Sequence, residues 1–346
     1  MSQSERYMPA LTGLRALAAY LVFLHHYNPA PPGTLAHSLV NQGYVGVSIF
    51  FVLSGFLIYH RYAHAYLSQK NWSWRRYLLN RFARIYPLYG LLLLLTVGIQ
   101  AFAGHPMSAG LFMLNLTLMK GLFEALKFSG IPQSWSLTVE VCFYSVAPFL
   151  FTGIRRWGVF RLTVGLLGFG LLLWAILIQV IGSLSFLLFY TFLGRSFEFV
   201  LGITLARRWH QNQLSSTECT FWFGLFIVIC CLLWQAIMYH YTTHSIYLMA
   251  SEFVIYNAIL PLGIGLLLLT LIQSKKLVQQ WLAHPIMQAL GRGSYAFYLI
   301  HVGVVASGLQ KLGVTNYGVL FGCLLVVAQG LYYFVERPLK SIGTRN

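Results

Sequence analysis

The stretch Leu11-Thr-Gly-Leu-Arg15-Ala-Leu-Ala-Ala-Tyr20-Leu-Val-Phe-Leu-His25-His26-Tyr27 decides the fold. Apart from Arg15 and the two histidines it is almost wholly apolar, as a segment crossing a bilayer must be. A helix turns ~100° per residue, so the eleven steps from Arg15 to His26 return to within ~20° of the starting face, ~16 Å further along. A guanidinium and an imidazole therefore line one side of the helix at two depths, with His25 ~100° away. Ionisable groups inside a span are costly, normally face a protein interior or a cavity, and mark functional sites by default. The competing reading is an arginine snorkelling to headgroups and a histidine satisfied by a neighbouring helix. This stretch alone does not separate the two.

The rest of the composition agrees with a membrane. The 346 residues are 58% hydrophobic and 9% charged, with a mean hydropathy of +0.68; soluble domains carry about 25% charged residues. No block looks like a separate soluble domain, so residues 1–346 read as one integral-membrane domain, all-α and polytopic. The first segment lacks a small-residue cleavage pattern and reads as a retained span. A net charge of +16 would suggest nucleic acid in a soluble protein. Here the basic residues sit in short loops between spans, where orientation of membrane helices explains them without nucleic acid. Cys142, Cys219, Cys230, Cys231 and Cys323 lie in or beside apolar segments without metal-ligand or disulfide spacing, so no metal is expected. All seven acidic residues are Glu; the chain has no Asp.

Hydropathy places ten spans, at 11–29, 44–63, 86–104, 135–153, 159–181, 184–206, 220–239, 248–272, 291–310 and 317–335. With both termini cytoplasmic, that face holds Arg6, Lys70, Arg75, Arg76, Arg81, Arg84, Arg155, Arg156, Arg161, Arg207, Arg208, Lys275, Lys276, Arg337, Lys340 and Arg345. The external face keeps Lys120, Lys127 and Lys311. Ser108–Leu122 is apolar but short, and a crossing there would turn the later arginines outward; it reads as an interfacial or re-entrant piece. Neither a fixed-period repeat nor inverted halves of the transporter kind are evident.

Five clusters bear chemistry. Trp74-Arg75-Arg76 and Arg81-Phe-Ala-Arg84-Ile-Tyr-Pro87 concentrate four guanidiniums, Arg75, Arg76, Arg81 and Arg84, able to clamp a phosphate-rich ligand, unless they serve only topology and anionic headgroups. Gly43, Gly46 and Gly55 with Ser48 and Ser54 form a helix-packing signature. Glu140, one and a half turns below Trp135, must be paired, protonated or facing water. Arg195 and Glu198, three apart, can pair within one helix. Glu252 and His301 are further intramembrane polar groups, and Glu336-Arg337-Pro338 closes the last helix.

In this order the motifs resemble acyltransferase family 3, ten-span membrane acyltransferases of surface glycans and other hydroxylated acceptors. The resemblance is carried by Leu11–Arg15 through His26, Gly43–Ile58, Arg81–Pro87, Trp135–Glu140 with Phe143-Tyr144, Arg195–Gly202, Gly293–His301 and Val335–Pro338. It implies acyl transfer from a cytoplasmic acyl-CoA to an acceptor hydroxyl, with Arg15, His26, Arg81 and Arg84 essential. The family usually has Asp where this chain has Ser48, which leaves any role of that carboxylate open here. Some members add a soluble hydrolase-like domain; the end at Asn346 carries the expectation that this unit works alone or with a partner.

The residues then take roles. His26 is the base for the acceptor hydroxyl, Arg15 steadies the oxyanion or the thioester, and Glu140 orients His26 or meets the sugar. Arg75, Arg76, Arg81 and Arg84 receive the phosphates of acyl-CoA, acetyl-CoA first among donors, with no permanently bound cofactor. The expected setting is a bacterial inner membrane and the expected acceptor a surface or lipid-linked glycan. The rival reading is a proton-coupled transporter or flippase using the same intramembrane His, Arg and Glu.

Overall fold

The computed structural model describes residues 7–70, 72–215, 217–241, 246–273 and 277–339. Arg6, Lys275, Lys276, Lys340 and Arg345 lie outside them. The described residues are helical throughout, without a strand. The helices are α1 (Pro9–His26), α2 (Leu35–Asn41), α3 (Val45–Leu67), α4 (Trp74–Phe102), α5 (Ala109–Leu116), α6 (Trp135–Ile181), α7 (Leu184–Tyr190) and α8 (Ser196–His210). They continue as α9 (Glu218–Tyr241), α10 (Ile246–Val254), α11 (Leu260–Gln273), α12 (Leu277–Leu282), α13 (Pro285–Arg292), α14 (Ser294–Ile300), α15 (Val304–Lys311) and α16 (Tyr317–Leu331). Six helices among the described residues are long and apolar enough to cross a membrane. Their outer faces carry large apolar side chains such as Phe160, Ile176, Phe226 and Val326, which water would not tolerate in such density.

Local chemistry sets the starts. Thr34, Ser73, Ser108 and Ser183 each cap a helix by accepting a backbone N–H three residues on. α6 is two helices, because Gly158 turns the backbone to φ 76°, ψ 172°, between the segments read from sequence as 135–153 and 159–181.

Two segments read as continuous spans are broken. The 184–206 segment splits into α7 and α8, and 291–310 splits into α14 and α15, where Gly303 has φ 93°. Windowed hydropathy averages over such breaks. Between α10 and α11, Ile255–Ile259 widens to π-helix, a form often found at functional sites. The Ser108–Leu122 segment forms the eight-residue α5, ~12 Å long, then turns at Leu118, φ 60°, into a 3-10 turn over Met119–Leu122. It is too short to cross.

α3 runs through the centre, against α8, α1 and α6. Its contact with α8 is backbone to backbone: a Cβ on Gly55 would lie 2.2 Å from the Phe199 carbonyl oxygen, and one on Gly202 2.1 Å from that of Val52. At one end of this pair His60 Nδ1 meets His210 Nε2 at 3.0 Å, and Arg207 reaches the Ile154 carbonyl at 3.4 Å. Exposed Arg75, Arg76, Arg155 and Arg156 surround that end, the basic end of the bundle.

Candidate active site

Two neighbouring cavities occupy the interior. The smaller, about 60 Å³, is lined by Arg15 from α1, Ser54 from α3, Arg84 from α4, Glu140 from α6, and Tyr295 and Tyr298 from α14. Glu140 Oε1 accepts from Ser54 Oγ at 2.5 Å and from the Tyr144 hydroxyl. Both hydroxyls can donate, and Oε1 is the acceptor for each. The cavity thus sets one carboxylate against two guanidiniums.

The larger cavity, about 740 Å³, lies towards the end opposite the basic one. His25, His26, Gln42, Gln133, Arg195 and Glu252 are among its polar walls. Val47 and Tyr298 border both cavities.

His26 is open to this space, and its Nδ1 donates to the Val22 carbonyl, four residues back, at 2.9 Å. A carbonyl only accepts, so in the neutral ring Nδ1 carries the hydrogen and Nε2 the lone pair. The orienting partner is a backbone carbonyl rather than the carboxylate of Glu140. His301, at the α14–α15 break and fully buried, meets His26 edge-on with ring centroids 5.0 Å apart. Its Nδ1 donates to the Tyr298 carbonyl at 2.7 Å, and Nε2 has no partner among the described residues.

The helical-wheel separation of His25 from His26 does not exclude His25 from the cavity. His25 donates to the Asn41 carbonyl at 2.6 Å and lines the same space, because the chain after α2 folds back over the end of α1.

The four arginines read as one clamp diverge. Arg84 faces the small cavity. Arg81 is buried, donates to the Tyr62 hydroxyl at 2.8 Å, and lies 5.1 and 5.7 Å from the ring centres of Tyr62 and Tyr144. Arg75 and Arg76 stay exposed, Arg75 beside Arg81 in a 400 Å³ groove between α4 and α6. Residues three apart on a helix still differ by ~60°, enough to send Arg81 and Arg84 to different sides.

Arg195 and Glu198 form a buried two-point pair, Nε–Oε2 and Nη2–Oε1 both 2.8 Å, and Nη2 also donates to Ser48 Oγ at 3.0 Å. Ser48 thus meets a guanidinium whose charge Glu198 already balances. Sequence reasoning passed over Gln133, Gln235 and Tyr298, which also line these cavities. A lone amide inside apolar α9 was a usable signal for Gln235; nothing local marked the others.

Space of this kind, with an open imidazole at one end and guanidiniums at the other, suits proton removal from a hydroxyl beside stabilisation of an oxyanion. Comparison with known proteins agrees with that chemistry. A family profile described as an acyltransferase domain matches residues 8–333. A putative peptidoglycan O-acetyltransferase of Bacillus subtilis is 26% identical, over 100% of this chain and 57% of its own length. A peptidoglycan O-acetyltransferase of Listeria monocytogenes is 24% identical, over 99% and 57%, and a putative O-acetyltransferase of Staphylococcus aureus 24%, over 98% and 58%. The chain thus spans just over half the length of these curated relatives. No solved structure matches it. By the family profile, which covers nearly all of its length, the chain belongs to acyltransferase family 3.

Proposed function

We propose that this protein is a membrane O-acyltransferase that moves an acyl group, foremost acetyl, from a cytoplasmic acyl-CoA to a hydroxyl of a surface or lipid-linked glycan. The observation that carries the proposal is the adjacency of the two cavities across Val47 and Tyr298. In this reading Arg15 and Arg84 lie on the donor side and His26 on the acceptor side. The topology proposed with it has ten crossings, the basic end cytoplasmic, in a bacterial inner membrane. The names of the relatives, all O-acetyltransferases, support acetyl and glycan as the two substrates.

In the proposed reaction His26 Nε2 takes the acceptor hydroxyl proton as the oxygen attacks the thioester carbonyl. Arg15, ~16 Å along α1 from His26, holds the thioester from the donor side. Collapse breaks the carbon–sulfur bond, the proton passes from His26 to the leaving sulfur, and the products are the ester and free CoA. Exposed Arg75 and Arg76 meet the CoA phosphates at the basic end, Arg84 holds the donor nearer the thioester, and Arg81 keeps α3, α4 and α6 in place. Glu140 sets the position of Arg15 and Arg84 rather than that of His26.

The test is acetyl transfer from labelled acetyl-CoA by the protein in proteoliposomes, normalised to inserted chain. His26→Ala abolishes transfer while insertion stays normal; full activity in that variant overturns the proposal. A transporter would leave the thioester intact.

A further inference from the structure

Two carboxamides in the wall of the larger cavity are enclosed yet incompletely bonded. Gln133 is 4% exposed and Gln235 2%. Gln133 Nε2 donates to the carbonyls of Leu299 and Val302, the latter at 3.1 Å. Both its N–H groups are thereby committed and the amide's orientation is fixed by the carbonyls it must meet. Its Oε1 is left without a partner among the described residues, and so is Gln235 Nε2, in the last third of α9. Enclosed amide atoms are nearly always bonded, so each exception asks for an explanation.

One free atom accepts and the other donates, which is what a hydroxyl group needs from its surroundings. On the same wall the rings of Trp135 and Tyr190 meet with centroids 4.8 Å apart, an apolar surface for the C–H face of a sugar. The guanidinium there, Arg195, is already paired with Glu198 and Ser48, so it offers no free charge to an anionic acceptor. Leu299 and Val302 flank His301, so the bonds that orient Gln133 also fix the break beside the His26–His301 pair.

We infer that the larger cavity binds an uncharged saccharide, with Gln133 Oε1 and Gln235 Nε2 reading its hydroxyls as acceptor-specificity residues. This rests on the larger cavity being the acceptor side of the proposed reaction. Gln235 is the cleaner of the two to test, since its Nε2 has no bond in the fold to lose.

The experiment compares wild type with Gln235→Leu, using N-acetylchitotetraose and maltotetraose as probes. It measures the thermal midpoint with and without probe, and the Michaelis constants for probe and for acetyl-CoA. Gln235→Leu is expected to melt at or above the wild-type midpoint, because a buried N–H donor without a partner is replaced by an apolar group. Its probe KM rises about 3- to 10-fold, one neutral hydrogen bond's worth, while KM for acetyl-CoA moves far less. A lower midpoint for Gln235→Leu overturns the inference, since the amide would then be holding the fold. So does a normal midpoint with unchanged probe KM and probe-induced stabilisation. If neither saccharide stabilises wild type, the inference fails whether or not another acceptor is acetylated. Saccharide binding without any consumption of acetyl-CoA would instead refute the reaction and leave this site standing.

Discussion

Glu198→Gln removes the only carboxylate that, among the described residues, bonds the Arg195 guanidinium, itself 1% exposed. Arg195 would keep the Ser48 hydroxyl, the distant Phe189 carbonyl at 3.5 Å and the Phe51 ring, 5.3 Å from its guanidinium carbon. None of these carries charge. Breaking one side of a buried ion pair costs about 3–5 kcal/mol, because the other side stays buried and uncompensated. At roughly 2 °C per kcal/mol for a chain of this size, the melting midpoint in detergent falls by about 6–10 °C. Ser48 lies 3.0 Å from the same Nη2, so Ser48→Asp can return a carboxylate from α3. The double variant Ser48→Asp/Glu198→Gln therefore recovers about half the loss or more. Ser48→Asp alone sets two carboxylates on one guanidinium and is destabilised, since like charges disfavour each other's ionised form. Stepwise heating followed by fluorescence-detected gel filtration reads all four midpoints. If the double variant melts with Glu198→Gln, a carboxylate at position 48 does not replace that of Glu198, and the reasoning fails.

Gly202→Leu, whose Cβ would lie 2.1 Å from the Val52 carbonyl oxygen, forces α3 and α8 apart and should yield little inserted protein. Gly98→Leu, with nothing within 4 Å, is the control, and equal yields from the two would refute the close approach. Glu124, in the loop after α5, clips the start of α7 through Ser183; partial burial pushes its carboxyl up, but the bonds from Ser183 and Lys127 outweigh it and hold the group below the ordinary range. A depressed folded-state value adds stability above the ordinary carboxylate pKa, about 4.3, and loses it as pH falls below. Wild type should therefore outmelt Glu124→Gln at pH 7, with the gap closing near pH 3; a gap that persists refutes the clip's charge. If the smaller cavity is the donor side, as proposed, its 60 Å³ leaves little room beyond an acetyl group. Butyryl-CoA should turn over about tenfold or more slowly than acetyl-CoA, as overpacking a tight site costs 1–3 kcal/mol, and equal turnover would refute that limit.

The sequence made the helices legible because apolar runs and basic loops are one-dimensional signals. The eleven-residue step in α1 likewise pointed both Arg15 and His26 inwards, and the structure finds them on the walls of two adjoining cavities. What escaped depends on where other chain segments pass. A helical wheel for α1 contains no information about Asn41, so it could set His25 ~100° from His26 but not show that both rings line one cavity. The arginine cluster read as one clamp because charge density is visible in sequence. The aromatic rings of Tyr62 and Tyr144 that draw Arg81 aside come from two other helices. The breaks at residues 191–195 and 301–303 vanish in a hydropathy average, though Gly194-Arg195 and Gly303 mark them in retrospect.

Those breaks explain why buried amides and charges concentrate where they do. In hydrocarbon every backbone group must be satisfied internally, so irregular backbone persists only against protein or a wet cavity. The α7–α8 break frees carbonyls at Leu188 and Gly194, and Asn257 Nδ2 donates to both, at 2.8 and 3.3 Å, from the π-turn between α10 and α11. The α14–α15 break frees those of Tyr298, Leu299 and Val302, met by His301 and Gln133. Each repair brings a polar side chain to the bundle interior, and Arg195, Gln133 and Tyr298 at these breaks also face the larger cavity. Continuous helices would need no such side chains and would leave the wall beside His26 without Gln133 and His301. The price of interrupting two spans is thus offset by the groups that repair them, which give the cavity walls the donors and acceptors an apolar bundle lacks.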